Sequence, residues 1–186
     1  MNYFSEQNFT KTDSEKLEKA DYEHCVFTAI NFSGQDLSGF KFSDCDFKDC
    51  DLSNAKIHQT AFRDVVFKNC KMIGLSFDEA HSFNIAFSFE DCILDHSSFY
   101  QLDIRKTNFK NCSMKATDFT EANLSNSFFD QSNLADAVFD RTILDNANLK
   151  KAINFSINPA KNQLKKTKFA KDNLVGLLDT LQIIID

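Results

Sequence analysis

The chain has 186 residues, 42% of them apolar, with 21 phenylalanines, no tryptophan and one proline. One domain with a full core fits that length, and a formal charge of −6 with a pI near 5.2 argues against direct nucleic-acid binding, which uses basic patches. No charged-then-apolar leader opens the chain and no apolar run reaches bilayer length, so a cytoplasmic protein without membrane contact is expected.

Residues 1–19 are read as an N-terminal cap. Thr12-Asp13-Ser14-Glu15 has the form of a capping box ahead of a short helical turn near Leu17. A cap is needed because the first layer of the repeat that follows would otherwise expose an unpaired strand edge. Phe4 and Phe9 are its expected anchors.

From Tyr22 to Leu149 a bulky apolar residue falls at every fifth position, with one interruption. With the unit written i−2 to i+2, the central position i is Tyr22, Phe27, Phe32 and onward to Phe77, then Phe89, Leu94 and onward to Leu149. Position i−2 is mostly Ala, Cys, Ser or Thr, and the other three are mainly Asp, Asn, Ser, Lys and Thr. On a helix, five residues at about 100° each leave a drift of about 140°, so the apolar row would spiral over every face. In a straight strand an odd period sends successive large residues to opposite sides. Both conflicts vanish if the chain turns once per unit and keeps i and i−2 on a common axis, winding an all-β solenoid. Phe27, Phe47, Phe67, Phe99, Phe119 and Phe139 then line that axis. The period alone leaves the number of corners per coil open.

All six cysteines (Cys25, Cys45, Cys50, Cys70, Cys92, Cys112) occupy i−2. A disulfide or zinc framework would ignore the repeat register, whereas a small soft hydrophobe facing the axis obeys it. The interruption lies at 78–88, where Phe77 and Phe89 stand twelve apart and two units need ten. It reads as a tolerated bulge or as a partner-reading outward loop. Just before it, Gly74 sits at i+2, where a corner calls for positive φ.

After Lys150 the register fades, and the repeat is expected to span 20–156, with a distinct module at 157–186. There Asp172 or Asn173 caps a short helix bearing Leu174, Leu177, Leu178 and Leu181. Gln182 to Ile185 follows as a strand. Exposed on a monomer, that much Leu and Ile would be an aggregation patch, so a homodimer through these leucines, Ile183 and Ile185 is expected. The charge divides with the modules. Residues 1–149 carry 24 acidic and 14 basic side chains, net −10, and residues 150–186 carry seven Lys against three Asp, net +4.

Units such as Ala122-Asn123-Leu124-Ser125-Asn126, Cys50-Asp51-Leu52-Ser53-Asn54 and Cys45-Asp46-Phe47-Lys48-Asp49 resemble the A(D/N)LXX signature of pentapeptide-repeat proteins. The tail from Asn154 is similar to the C-terminal ends of the Qnr-, MfpA- and McbG-like subgroup. The resemblance implies a right-handed quadrilateral β-helix with four units per coil and a short C-terminal helix-plus-strand dimerisation module. It also implies a function: a DNA-shaped decoy for the A-type subunit of DNA gyrase or topoisomerase IV, protecting it from quinolones or gyrase-poisoning toxins.

Magnitudes restrain that expectation. Nearly seven coils at about 4.8 Å give a rod about 30 Å high, or about 60 Å as an end-to-end dimer. Duplex DNA of that length bears about 35 charges, against about 20 on the dimer body. Mimicry therefore depends on which face holds the acids, and the expected side is the one bearing Asp118, Glu121 and Asp140, opposed by Arg141. The alternative is an interaction scaffold or structural rod with no topoisomerase contact. Catalysis, cofactors and metals find no support, since His24, His58, His81 and His96 fall on separate units and no nucleotide-loop or hydrolase motif occurs. The nearby Asp44, Asp46, Asp49 and Asp51 lack the Gly-rich spacing of calcium solenoids.

Overall fold

A computed structural model describes residues 2–181 and residue 183, with residues 14–16 described by backbone alone. The chain winds an all-parallel β-solenoid. One sheet runs β1 (Asn2–Ser5), β3 (Ala20–Glu23), β5 (Lys41–Ser43) and β7 (Ala61–Arg63). The second runs β2 (Asn8–Thr10), β4 (Val26–Thr28), β6 (Asp46–Lys48), β8 (Val65–Lys68), β9 (Phe87–Glu90), β10 (Asn108–Lys110) and β11 (Phe128–Asp130). Phe27 pairs with Phe47 and Phe47 with Phe67, so one coil is twenty residues and four units make four faces. We number the faces by the centres Tyr22 (face 1), Phe27 (face 2), Phe32 (face 3) and Leu37 (face 4). Faces 3 and 4 are held by isolated parallel bridges such as Asp51↔Lys71 and Ser98↔Asp118.

Stacked aromatic rings fill the axis. On face 2 Phe27–Phe47 centroids lie 4.7 Å apart, Phe47–Phe67 5.1 Å, Phe89–Phe109 5.2 Å and Phe109–Phe129 5.1 Å. Face 4 continues with Phe77–Phe99 at 4.5 Å, Phe99–Phe119 at 5.3 Å and Phe119–Phe139 at 5.2 Å. The expected axial six are all buried. Each buried Phe contributes about 1.5–3 kcal/mol, and each stacked pair about 0.5–1.5 kcal/mol more.

Most polar residues at i−2 share one task. Thr60 Oγ1 donates to the Leu37 carbonyl (2.7 Å), Thr142 to that of Phe119 (2.8 Å), and Cys70 Sγ to that of Phe47 (3.4 Å), each one coil back. Five of the cysteines thus do what Ser and Thr do elsewhere, filling a small slot and satisfying the carbonyl of a central residue, while Cys112 donates to the Lys110 carbonyl. All six are buried and unpaired. Burial pushes the Cys45 thiol up to about 12.

The corner sits at i+2. Gly74 has φ +66°, as expected, but so do residues with side chains: Asp44 (52°), Gln59 (55°), Ala116 (53°) and Lys106 (65°) among many. A left-handed conformation costs an L-residue roughly 1–2 kcal/mol, and the ladder bond that most corner amides make offsets it, as in Asp44 N–H to Arg63 O at 2.9 Å. The Asp or Asn at i−1 closes the same turn from inside the unit. Asp51 Oδ1 accepts from Ser53 N–H (2.9 Å), and Asp118 Oδ1 from Thr120 N–H (2.8 Å).

The expected boundaries at 19/20 and 156/157 fall inside the ladder. Asn2–Ser5 and Asn8–Thr10 are already strands of the first coil, and Phe4 and Phe9 stack on Tyr22 and Phe27 at 5.1 Å each as ordinary centres five apart. That coil returns after eighteen residues because a 3-10 turn, Lys11–Lys16, takes the shorter way round. Its capping box is Thr10 with Asp13, two residues earlier than expected: Asp13 Oδ2 accepts the Thr10 N–H at 2.9 Å. At the other end bridges Ile143↔Gln163 and Asn148↔Lys168 extend the ladder twelve residues past 156. The register is masked there because Asn154 takes φ +59° and Phe155 and Ile157 are buried in its stead. From Phe9 to Phe169 face 2 makes eight inter-strand steps, about 38 Å at about 4.8 Å each.

The interruption adds two residues on face 1, and Phe67 pairs with Phe89, twenty-two later. The loop removes one axial residue from face 1. Phe87, at i−2, fills the gap against Phe62 (5.6 Å) and Phe77 (5.1 Å).

Candidate partner surface

Face 4 brings the three expected carboxylates close together. Asp118 and Glu121 flank Phe119, and Asp140 lies one coil on, with Glu121 N–H donating to the Asp140 carbonyl at 2.9 Å. None of the three is a free anion. Asp118 closes its own turn. Arg141 bridges Glu121 (Nη2–Oε1 2.6 Å) and Asp140 (Nη1–Oδ1 3.2 Å), and Lys161 adds a second cation 3.5 Å from Asp140. Gln101 donates to Glu121 at 2.6 Å, and with the Arg141 guanidinium holds its carboxyl below the usual range. Sequence reasoning counted Arg141 alone because Lys161 lay beyond the expected end of the repeat. Along its whole length, however, face 4 remains acidic: Asp36, Asp78 and Glu79 precede this cluster, against Lys56.

Charge pairing between coils is general. Lys41 meets Asp21 at 3.0 Å, Lys110 meets Glu90 at 2.6 Å and Lys151 meets Asp130 at 3.0 Å. Such exposed pairs contribute little stability, but they set where uncompensated charge remains. The lysines of residues 150–171 close the ladder as a basic end.

The tail divides differently from expectation. A 3-10 helix, Lys171–Leu177, and a second, Asp179–Leu181, follow the last strand position. The cap is Ala170, not Asp172 or Asn173. Asn173 is the third residue of the turn and serves as a plug: its Oδ1 accepts from Ala170 N–H (3.0 Å) and its Nδ2 donates to the carbonyls of Leu149 (3.0 Å) and Ala152 (3.1 Å). Leu177 packs on its own core, and Leu178 is half-buried. Leu174 (42%), Leu181 (60%) and Ile183 (55%) are exposed, as are two residues missing from the expected set, Val175 (55%) and Ile153 (51%). Ile153 was legible as an apolar residue at the outward i−1 position, which Val66, Ile93, Phe128 and Val138 also occupy. Ile185 and the expected strand at 182–185, apart from Ile183, lie outside the described residues.

For metal chemistry the described residues offer one convergent group, Glu23, His24 and Asp44 on the surface of face 1. Tyr3 Oη already donates to Glu23 there. His58 and His96 stand exposed on separate coils. Among the described residues no helix is long and apolar enough to cross a membrane.

The family described as "Pentapeptide repeat region" matches residues 86–177, and "Pentapeptide repeats (8 copies)" matches residues 25–64. A trypsin-treated variant of QnrB1, described as a plasmid-mediated fluoroquinolone resistance protein, has a similar fold: TM-score 0.65 and 16% identity over 99% of this chain and 97% of that one. Full-length QnrB1 gives 0.50 at 16% identity, over 98% of this chain and 100% of that one. No curated protein matches the sequence. The two family matches, the twenty-residue coil and the stacked central rings together place this chain among the pentapeptide-repeat proteins.

Proposed function

We propose that the protein is a non-enzymatic DNA-shaped decoy that binds a type II topoisomerase, DNA gyrase or topoisomerase IV, and protects it from quinolones or gyrase-poisoning toxins. The observation that carries this reading is a solenoid whose face 2 ladder continues for about 38 Å and whose residues 1–149 hold 24 acidic against 14 basic side chains. Face 4 carries Asp36, Asp78, Glu79, Asp118, Glu121 and Asp140, spread over its coils, against Lys56, Arg141 and Lys161. The shared fold with QnrB1, a fluoroquinolone resistance protein by its description, supports the same direction. In this reading two copies join at the tail, where Leu174, Val175, Leu181 and Ile183 stand exposed, and the rod doubles in length.

A second reading has its own observation. Glu121 and Asp140 are engaged by Arg141 and Lys161, which suits a scaffold whose polar faces are balanced for solubility. Gyrase and topoisomerase IV supercoiling and relaxation assays, with and without quinolone at micromolar protein, separate the two. Protection or inhibition that fades as salt rises supports the decoy; no effect on either enzyme leaves the scaffold.

A further inference from the structure

Near the basic end of the ladder, face 2 is indented by a groove of about 530 Å³. Its floor is Phe128, which occupies i−1 and leaves 49% of its surface exposed. In register on either side of it stand Asn108 and Asn148. Neighbouring strands lie about 4.8 Å apart, so a flat ring laid on Phe128 would have a carboxamide beside each edge. Asn148 Oδ1 is held by Lys150 N–H at 3.1 Å, which leaves its amide nitrogen to donate. The Asn108 side chain makes no hydrogen bond within the described residues.

Around this floor stand Lys106, Lys110, Lys150 and Lys151, with Asp130 the single carboxylate of the lining. Lys110 is paired with Glu90 and Lys151 with Asp130, whereas Lys106 and Lys150 form no ion pair among the described residues. In a chain of net charge −6 such a concentration of cations is local and directional. An acidic peptide would have no use for an open aromatic face between two amides, and a bare polyphosphate would leave Phe128 exposed. A planar heterocycle with hydrogen-bonding edges and several negative charges uses all of it.

We propose that this groove binds a nucleoside triphosphate, with the base on Phe128 between Asn108 and Asn148 and the phosphates drawn by Lys106 and Lys150. Lys151 can be recruited from Asp130. This inference stands apart from the topoisomerase reading, and a silent supercoiling assay leaves it intact.

Isothermal titration of the full chain with ATP, and separately with inorganic tripolyphosphate, tests it at low salt. Saturable ATP binding is expected, with tripolyphosphate weaker. Phe128→Ser places at i−1 a residue the repeat already accepts at Ser88, Ser98 and Ser113, and thermal melts will verify the fold. It should weaken ATP binding by about fivefold or more, from the loss of base stacking, and leave tripolyphosphate unchanged. Lys106→Glu with Lys150→Glu should weaken both ligands. Absence of saturable ATP binding overturns the proposal, as does a Phe128→Ser variant that binds ATP as the parent does.

Discussion

A cysteine at i−2 is chemically a serine in this fold. Cys70 and Ser132 each reach a carbonyl 23 residues back, Phe47 by Sγ at 3.4 Å and Phe109 by Oγ at 3.1 Å. Cys70→Ser should therefore cost no more than about 1 kcal/mol, while Cys70→Leu overfills the slot and should cost about 1–3 kcal/mol, both read from denaturant melts. Because burial pushes the Cys45 thiol up to about 12, native protein should resist thiol reagents at pH 8–9 and react only on unfolding; rapid labelling of folded protein would contradict the structural role. The buried slot was legible in sequence, since register identifies it, whereas the bond to a carbonyl one coil back was not. The pairing of Glu121 and Asp140 was not legible either, because Arg141 reaches Glu121 and Lys161 reaches Asp140 from the next coil.

The tail shows how an element ends a ladder that has no natural stop. Gly176 lies against Phe155, and a Cβ built there would stand 2.2 Å from the Phe155 carbonyl oxygen. The Gly176 carbonyl in turn accepts from Ile157 N–H at 2.8 Å. Gly176→Ala should detach the 3-10 segment, lowering stability by about 1–3 kcal/mol and raising amide exchange at Ile157; full protection in that variant would show that the contact is dispensable. A helical spacing of leucines was visible in the sequence, but the division between Leu177 facing inward and Val175 facing outward was not. A 3-10 turn has three residues per turn, so a 3.6-residue reading assigns its faces wrongly.

At the scale of the molecule, the period of five gave the solenoid and its axis, and the strand pairings supplied its length. Both ends were underestimated: the first coil is shortened by two residues, and at the other end Asn154 and Pro159 stand where apolar centres would fall, although Leu164 and Phe169 keep the spacing. If the exposed tail residues join two copies, Leu181→Asp should convert a dimer to a monomer in sedimentation without changing the circular dichroism of the solenoid. A variant that still sediments as a dimer would place the interface elsewhere.

Corners in the left-handed region are filled by Asp, Asn, Gln, Glu, His, Lys, Arg and Ala alike. Ladder bonds hold the backbone there, so the identity of a corner residue is nearly independent of the axis it encloses. Mutational drift can then rewrite a whole edge of the molecule, one letter per coil, while the interior stays fixed.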